Sequence, residues 1–458
     1  MLLALAGCGG HDDPSTPPSV TAPTPTPGPE TPTPEPSPSS YNIAGTVSGL
    51  DGRGLVLQNN AGDDLAISAD GSFTFATPVQ VGAAYSVTVK TQPQLVSQTC
   101  TVSNGSGTVA AAVANITVSC TSPSARFAYV TNRGGNSVSA YAVDAVTGAL
   151  TQIGTPVAAG TNPMGLAIGS SGQFAYAANQ SSYNVSAYSI DAVTGALTPL
   201  AGAPFAAGGT PFSITVSPNG QFAYAVDPIF QTITAYRVDA LTGALTSIAG
   251  SPFATGSESY DVAIDPSGKF AYVANLADET VSGYAIDATT GALSAVPGSP
   301  FSNALGRHTS VTIDPTGRFL YTADNTTYTV SAYRIDRVTG ALAAVPGSPF
   351  AAGRNPLVVA ADPRGKFLYV TNGGDNTVSA YRIDDTSGAL VAVAGSPFAT
   401  GSGPYGVTID PSGKFAYVVS LTANNVGAYR IDPATGALTA LASYGTGSSP
   451  RRIAFTAR

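Results

Sequence analysis

The sequence predicts an all-β protein, a seven-bladed β-propeller preceded by a small β-sandwich domain. A three-residue phrase, Phe-Ala-Tyr or Phe-Leu-Tyr, recurs seven times, opening at Phe127, Phe174, Phe222, Phe270, Phe319, Phe367 and Phe415. A fixed period of about 48 residues is typical of one four-stranded blade copied around a ring. Ahead of the first copy lie several short β-like runs. With 51 glycines and only 10% charged residues, the composition suits tight turns and half-buried strands.

The chain begins with an apolar stretch, residues 1–10, that reads MLLALAGCGG. Leu5-Ala6-Gly7-Cys8 resembles the lipobox of bacterial lipoproteins, which implies lipid attachment at Cys8; the alternative is a chance apolar N-terminus. A complete signal has a basic start and a longer apolar core, so we expect translation to start upstream of Met1. The Pro/Thr-rich residues 11–40 predict a disordered, solvated tether. Together they predict an extracytoplasmic protein, lipid-anchored to a bacterial membrane in the periplasm or at the cell surface.

Residues 41–122 form the predicted sandwich domain. Short β-like runs at 43–47, 54–57, 73–75, 85–89 and 116–118 are separated by Asp, Asn and Gly turns. The domain is similar to the immunoglobulin-like modules of exported bacterial proteins. Cys100 and Cys120 fall on its last two predicted strands, and an exported compartment permits a disulfide between them; two free thiols are the alternative. No acid, base or ligand cluster is present, so we expect a spacer.

Each propeller repeat over residues 125–458 carries the same late hairpin, in which an Asp is followed four residues later by Gly. The Asp residues are Asp144, Asp191, Asp239, Asp287, Asp336, Asp384 and Asp432. Asp accepts backbone N–H bonds at a turn entry and Gly takes a positive φ before the return strand. One carboxylate per turn cannot supply the six to eight oxygens of a calcium site.

Three cysteines and two histidines in the chain also exclude a zinc site of the usual spacing. We therefore predict no metal and no cofactor.

The ends of the repeat region predict how the ring closes. The first repeat begins directly with its second strand, at residues 126–129. After the seventh repeat comes an unpartnered run, 452–456, that matches the inner strands of the other blades. We therefore expect the C-terminal strand to complete the first blade, which leaves no open sheet edge at the seam.

Residues that depart from the repeat gather at the predicted mouth of the central channel. They precede the inner strands or follow the second strands: Asp227, Glu258, Arg307, His308, Asp324, Arg354, Arg451 and Arg452. Arginine forks suit carboxylate or phosphate, which predicts a small anionic or polyhydroxylated ligand. The alternative is a solvated rim in which the arginines pair with Asp227, Glu258 and Asp324. A net charge of −8 without a basic run makes nucleic acid an unsuitable partner.

The repeats resemble the seven-bladed β-propeller lactonase family, which includes the propeller type of 6-phosphogluconolactonase. They also carry the phrase Tyr-Val-Thr-Asn that names a related repeat, at 129–132 and 369–372. The Arg-His pair that recurs before an inner strand in that family resembles Arg307-His308. The resemblance implies that Arg307 binds the substrate anion or polarises a lactone carbonyl, and that His308 is a general base on water. Where the family commonly shows Asn-Glu, the chain reads Asp324-Asn325.

The sequence thus leaves two classes of function open. The first is an exported lactonase-like hydrolase acting on a sugar lactone or related ring ester, without the Ser nucleophile motif of acyl-enzyme hydrolases. The second is a non-catalytic cell-envelope propeller that binds a ligand or a protein partner.

Overall fold

The computed structural model describes residues 39–50, 52–93, 98–122, 125–302 and 306–457. Every helix-or-strand element in these ranges is a β-strand, which confirms the predicted all-β class. Within the same ranges no helix is long and apolar enough to cross a membrane. Cys8, the predicted lipidation site, lies outside the described residues. So does nearly all of the predicted tether.

The N-terminal domain is a sandwich of two four-stranded sheets. One sheet contains, in spatial order, Gly71–Thr74, Ile43–Ser48, Val113–Thr121 and Thr99–Ser103; the other contains Asp63–Ile67, Leu55–Asn59, Ala84–Thr91 and Ser106–Thr108. Two further short strands, Ser40–Tyr41 and Val79–Gln80, pair with each other. Alternate side chains of both sheets, such as Val47, Leu57 and Val118, meet in one buried core.

Cys100 and Cys120 lie directly opposite each other on neighbouring antiparallel strands and form a disulfide. The strand Asp63–Ile67 was not predicted from the sequence, because its paired aspartates hide the alternation. It is the second arm of a hairpin that turns at Asn60, where φ is +49°.

The propeller has seven blades of four antiparallel strands. The inner strands, from blade 1 to blade 7, are Pro450–Ala457, Pro163–Ile168, Ser213–Val216, Ser259–Ile264, His308–Ile313, Pro356–Ala361 and Pro404–Ile409. The second strands are Ala125–Asn132, Phe174–Asn179, Phe222–Asp227, Phe270–Asn275, Phe319–Asp324, Phe367–Asn372 and Phe415–Ser420.

The third strands are Ser137–Val143, Asn184–Ile190, Thr232–Val238, Thr280–Ile286, Thr329–Ile335, Thr377–Ile383 and Asn425–Ile431. The outer strands are Leu150–Ala158, Leu197–Pro199, Leu245–Ser247, Leu293–Ala295, Leu342–Ala344, Leu390–Ala392 and Leu438–Gly445. In four blades a two-residue strand pairs again with the third strand: Phe205–Ala206, Phe253–Ala254, Phe350–Ala351 and Phe398–Ala399.

The ring closes within blade 1. Its inner strand is the C-terminal Pro450–Ala457, which pairs antiparallel with Ala125–Asn132 and places Ile453 opposite Val130. Each inner strand also contacts the inner strands of both neighbouring blades, and the C-terminal strand contacts those of blades 2 and 7. The first and last repeats are therefore joined by ladder hydrogen bonds.

Neighbouring blades are joined by a repeated contact at the late hairpin. The buried second-strand tyrosine of each blade donates its hydroxyl to the hairpin glycine carbonyl of the next blade, as Tyr321 does to Gly388 at 3.0 Å. The other six bonds join Tyr129 to Gly195, Tyr176 to Gly243, Tyr224 to Gly291, Tyr272 to Gly340, Tyr369 to Gly436 and Tyr417 to Gly148. Gly388 has a φ of +79°, and a Cβ there would lie 2.3 Å from the Phe319 ring. Glycine is thus required for both backbone conformation and packing.

Candidate functional site at the channel mouth

One face of the propeller, here called the mouth face, carries the loops that lead into the inner strands. Aligning the repeats gives one equivalent position at the entry to each inner strand, held by Ser449, Asn162, Thr210, Glu258, Arg307, Asn355 or Gly403, from blade 1 to blade 7. In blade 3 the strand itself begins slightly later, at Ser213. The residue after the entry position is Pro450, Pro163, Pro211, Ser259, His308, Pro356 or Pro404. Both positions change character in blades 4 and 5 and in no other blade. These two neighbouring blades therefore mark the candidate site.

Glu258 and Arg307 lie side by side at this point. The Glu258 Oε2 atom is 4.0 Å from the Arg307 Nη2 atom, and the side chains are 46% and 47% exposed. Glu258 has a φ of +51°, the left-handed conformation that suits the Asn, Ser or Gly of other blades better than Glu. The equivalent Asn162, Asn355 and Ser449 have the same positive φ, so the repeat sets the backbone conformation and only the side chain of Glu258 is unusual.

His308 and Asp324 form a buried pair directly behind Arg307. The two residues face each other across the strand ladder, and His308 Nδ1 and Asp324 Oδ1 share a hydrogen bond. The second carboxylate oxygen of Asp324 accepts a bond from Ser331 Oγ at 2.6 Å. Both side chains are fully buried, and His308 Nε2 has no hydrogen-bond partner among the described residues. The ring of His308 is therefore not exposed at the surface of the mouth.

A buried ion pair crosses the channel below the mouth. Arg452, on the inner strand of blade 1, places Nη2 3.0 Å from Asp261 Oδ2 on the inner strand of blade 4. Asp261 also accepts bonds from the hydroxyls of Ser213 and Ser310, each at 2.7 Å. Burial lowers the pKa of Arg452, but the Asp261 carboxylate and Tyr405 together raise it by more, so the net shift is upward. These residues line a channel cavity of about 270 Å³ together with aliphatic side chains of all seven inner strands.

Aromatic side chains surround the mouth above this ion pair. Phe212 and Tyr260 pack edge to face with ring centroids 4.4 Å apart, and the Arg451 guanidinium lies 4.3 Å from the Tyr405 ring centroid. Burial raises the pKa of the Tyr260 hydroxyl; the charges of Glu258 and Tyr405 raise it further, whereas Arg307 lowers it. Burial lowers the pKa of Arg451, and the neighbouring positive charges act in the same direction.

Arg451 has a second arginine beside it. Arg133, at the exit of the second strand of blade 1, contributes to the lowered pKa of Arg451. The Nε atoms of both arginines are buried and have no hydrogen-bond partner among the described residues. Arginine side chains commonly bind carboxylate and phosphate groups, and a buried donor without a partner calls for an explanation.

Two predicted site residues lie apart from this cluster. Arg354 is 72% exposed, and both its side chain and its backbone N–H contact Asp375 in a loop of its own blade. Asp227 is buried, and its carboxylate accepts hydrogen bonds from the Thr210 hydroxyl and the backbone N–H groups of Ile229 and Phe230. Of the predicted acidic partners for the arginines, the structure places only Glu258 beside one. Asp324 pairs with His308.

Sequence reasoning did not single out Asp261, Tyr260 or Arg133. Asp261 had a usable signal, because the equivalent residues of the other blades are Gly165, Ser213, Ser310, Val358, Gly406 and Arg452. A carboxylate and a guanidinium at one level of a narrow ring are expected to meet. No group of three or more His, Cys, Asp or Glu side chains that could hold a metal occurs in the part of the chain that the structure describes.

Comparison with solved structures identifies relatives of the propeller. A protein from Bacteroides uniformis, described as a candidate 6-phosphogluconolactonase, superposes with a TM-score of 0.65 at 20% identity, covering 72% of this chain and 99% of its own. A similarly described protein from Bacteroides fragilis gives 0.63 at 23% identity, covering 73% and 98%. The periplasmic gluconolactonase of Pseudomonas aeruginosa gives 0.60 at 20% identity, covering 72% and 98%. At these identities the likeness shows the fold.

The sequence itself matches one family model, described as the seven-bladed β-propeller lactonase, over residues 84–211, 201–360 and 344–455. No curated protein matches significantly. The matches overlap and together span nearly all of the repeats, as expected when similar blades are aligned in several registers. The chain therefore belongs to the seven-bladed β-propeller lactonase family.

Proposed function

We propose that the protein is a lactone hydrolase whose active site is the channel mouth of blades 4 and 5. The observation that carries this proposal is the side-by-side placement of Glu258 and Arg307, at equivalent positions of the two blades where the mouth-face pattern fails. A carboxylate and a guanidinium that are both half exposed can reach a bound ester ring, and membership of the lactonase family supplies the reaction class.

The chemistry needs one base and one group that stabilises negative charge. The Glu258 carboxylate takes a proton from water as the water oxygen bonds to the lactone carbonyl carbon. The Arg307 guanidinium stabilises the oxyanion of the tetrahedral intermediate. When the ring C–O bond breaks, the proton passes from Glu258 to the departing alkoxide, and the product is an open hydroxy acid. The Tyr260 hydroxyl, whose pKa is raised by burial first and then by the charges of Glu258 and Tyr405, lies in the same electrostatic neighbourhood.

The role that the family resemblance assigns to His308 differs from this one. Its ring is buried and bonded to Asp324, whereas Glu258 is half exposed. We therefore propose that His308 and Asp324 position Arg307, whose carbonyl accepts a bond from the Asn325 N–H at 3.1 Å. The two assignments predict different pH profiles. With Glu258 as base, Glu258→Gln abolishes the acidic limb of the kcat profile and His308→Gln retains it; with His308 as base, the reverse is found.

The test is a pH-stat assay of the purified protein with glucono-δ-lactone, its 6-phosphate and unsubstituted γ-butyrolactone. Glu258→Gln and Arg307→Gln are each expected to lower kcat/KM by about 10²-fold or more. Arg337→Gln is the matched control. Arg337 is exposed on the late hairpin that follows the strand Thr329–Ile335, at the end of the blade away from the mouth. Full activity in both Glu258→Gln and Arg307→Gln would exclude the proposed site.

A non-catalytic binding protein is the second candidate. It is favoured by the Asp261–Arg452 ion pair that spans the channel and by the unused Nε donors of Arg133 and Arg451. These features hold an anion without providing chemistry. Absence of turnover with every lactone, combined with a thermal shift from gluconate or phosphate that Arg451→Gln removes, would favour this function over the hydrolase.

We also propose that the protein acts outside the cytoplasm as a lipid-anchored protein of the cell envelope. The Cys100–Cys120 disulfide supports this location, because such bonds persist in oxidising compartments. A similar structure is that of a periplasmic gluconolactonase, which agrees with an exported lactonase. In a bacterial host expressing the chain behind a complete signal, Cys8→Ser is expected to move the protein from the membrane fraction to the soluble fraction. An unchanged distribution would overturn the anchor.

A further inference from the structure

A second feature of the mouth face is an apolar cleft between blades 2 and 3. Its walls are Tyr183, Ile229, Phe230 and the segment 208–210, and its volume is about 430 Å³, within the usual range of small-molecule sites. Tyr183, Ile229 and Phe230 are 57%, 63% and 60% exposed. Large apolar side chains grouped on an otherwise polar surface commonly mark a binding site.

The cleft is a departure from the repeat. Ile229 and Phe230 occupy the two central positions of the loop between the second and third strands. The corresponding pairs in the other blades are Gly134-Gly135, Ser181-Ser182, Ala277-Asp278, Thr326-Thr327, Gly374-Asp375 and Thr422-Ala423. Blade 3 alone places two large apolar side chains there, so the fold of the loop does not require them.

The cleft is held in shape by Asp227. Its carboxylate accepts the backbone N–H groups of Ile229 at 2.8 Å and Phe230 at 2.9 Å, and the Thr210 hydroxyl at 2.7 Å. A Cβ on Gly209 would lie 2.7 Å from the Phe230 ring and would overlap Asp227. The two walls are therefore fixed together, and Asp227 builds the cleft without being exposed to an occupant.

The polarity of the walls selects the chemistry of the occupant. No lining side chain is charged, and the Thr210 hydroxyl already donates a hydrogen bond to the Asp227 carboxylate. A sugar would lose water from its hydroxyl groups in this cleft and find few side-chain partners in return, which is unfavourable. An alkyl chain loses nothing comparable and gains from the removal of apolar surface from water.

One wall of the cleft is close in the chain to an aromatic residue of the mouth. Thr210 is two residues from Phe212, so the Cα atoms are at most about 7 Å apart. The Phe212 ring packs on Tyr260. Tyr260 is two residues from Glu258 in the chain, and the Glu258 charge contributes to the raised pKa of its hydroxyl. We propose that the substrate is a lactone carrying an apolar alkyl or acyl tail, with the ring at Glu258 and Arg307 and the tail along Phe212 into the cleft. This inference rests on the proposed hydrolase function.

The experiment uses γ-lactones that carry butyl, hexyl or octyl tails, with γ-butyrolactone as the tail-free reference. In the wild type, kcat/KM is expected to rise by up to about fourfold for each methylene that is buried. The double variant Ile229→Ser with Phe230→Ser is expected to flatten this rise and to keep the rate on γ-butyrolactone. Leu241→Ser is the matched control, because Leu241 is a 92% exposed apolar side chain of a late hairpin. A rate independent of tail length, or a rise that survives in the double variant, overturns the proposal.

A binding measurement separates failure of the cleft from failure of the hydrolase. The probes are the ring-opened hydroxy acids of the octyl lactone and of γ-butyrolactone, titrated by calorimetry. Tighter binding of the octyl compound to the wild type, lost in the double variant, supports the cleft even if no lactone is hydrolysed. Equal binding of the two compounds overturns the proposal that the cleft binds the tail. Whether the protein is a hydrolase is decided separately, by the lactone hydrolysis assay.

Discussion

The two faces of the propeller follow different rules. On the hairpin face, which carries the late hairpins, every blade repeats the same Asp-to-Gly turn and the same tyrosine bond to the next blade. On the mouth face, equivalent positions hold Asn, Thr, Glu, Arg, Gly or Ser. The hairpin face joins neighbouring blades. Because every blade makes the same contact there, equivalent positions hold the same residue types. The mouth face differs between blades, which agrees with the proposed binding of an asymmetric ligand there.

The largest expected effect tests whether the hairpin face carries the stability. Phe319→Ala removes a fully buried ring that packs under Gly388 of the next blade. We expect a loss of about 3–5 kcal/mol in the free energy of unfolding, measured by urea denaturation. Tyr260→Ala at the mouth is the comparison and should cost clearly less, since its ring is only partly buried. Equal losses would contradict the division between the faces.

The next effect concerns the ion pair that crosses the channel. Asp261→Ala leaves Arg452 without its partner in a confined site, where it is 21% exposed. We expect a loss of about 1–3 kcal/mol, below the value for a fully buried pair. Replacing both residues, Asp261→Ala with Arg452→Met, should restore much of the loss, because no charge is then left unpaired. A double variant as unstable as Asp261→Ala would show that the channel needs the pair itself.

A smaller effect is expected for one inter-blade hydrogen bond. Tyr321→Phe removes the hydroxyl that donates to Gly388 and keeps the ring. The loss should be about 1 kcal/mol, visible as a lower urea midpoint. Tyr129→Phe, which removes the equivalent bond to Gly195 in blade 1, should match it. A much larger loss for Tyr129→Phe would mean that the blade closed by the C-terminal strand is a weak point of the ring.

The smallest effect is a dependence on pH from the hairpin aspartates. Backbone N–H groups, such as that of Thr435 at Asp432, hold the pKa of each of these carboxyls below its ordinary value. Because the folded pKa is lower than the unfolded one, this stabilisation is present above pH 4 and is lost as the pH falls through the folded pKa. Urea midpoints at pH 7 and pH 3 should therefore differ less in Asp432→Asn than in the wild type. A larger difference in the variant would contradict this account.

Much of the fold follows from particular residues of the repeat. The spacing of the Phe-Ala-Tyr phrase predicted the blade count, and the missing inner strand before Arg126 predicted the role of the C-terminal strand. These features are local: a strand, a turn and a tight glycine are each specified within a few residues. The predictions for Arg354 and Asp227 rested only on loop position, and loop position does not say where a side chain points.

The sequence by itself determined the all-β class, the number of blades and the face on which to look for a site. Only the tertiary structure decided which departing residues meet. It paired Glu258 with Arg307, buried His308 against Asp324, and joined Asp261 to Arg452 across the channel from strands almost 200 residues apart in the chain. The physical reason is that a repeat sets the local hydrogen bonds of each blade, whereas contacts across the ring depend on how seven blades curve until they close.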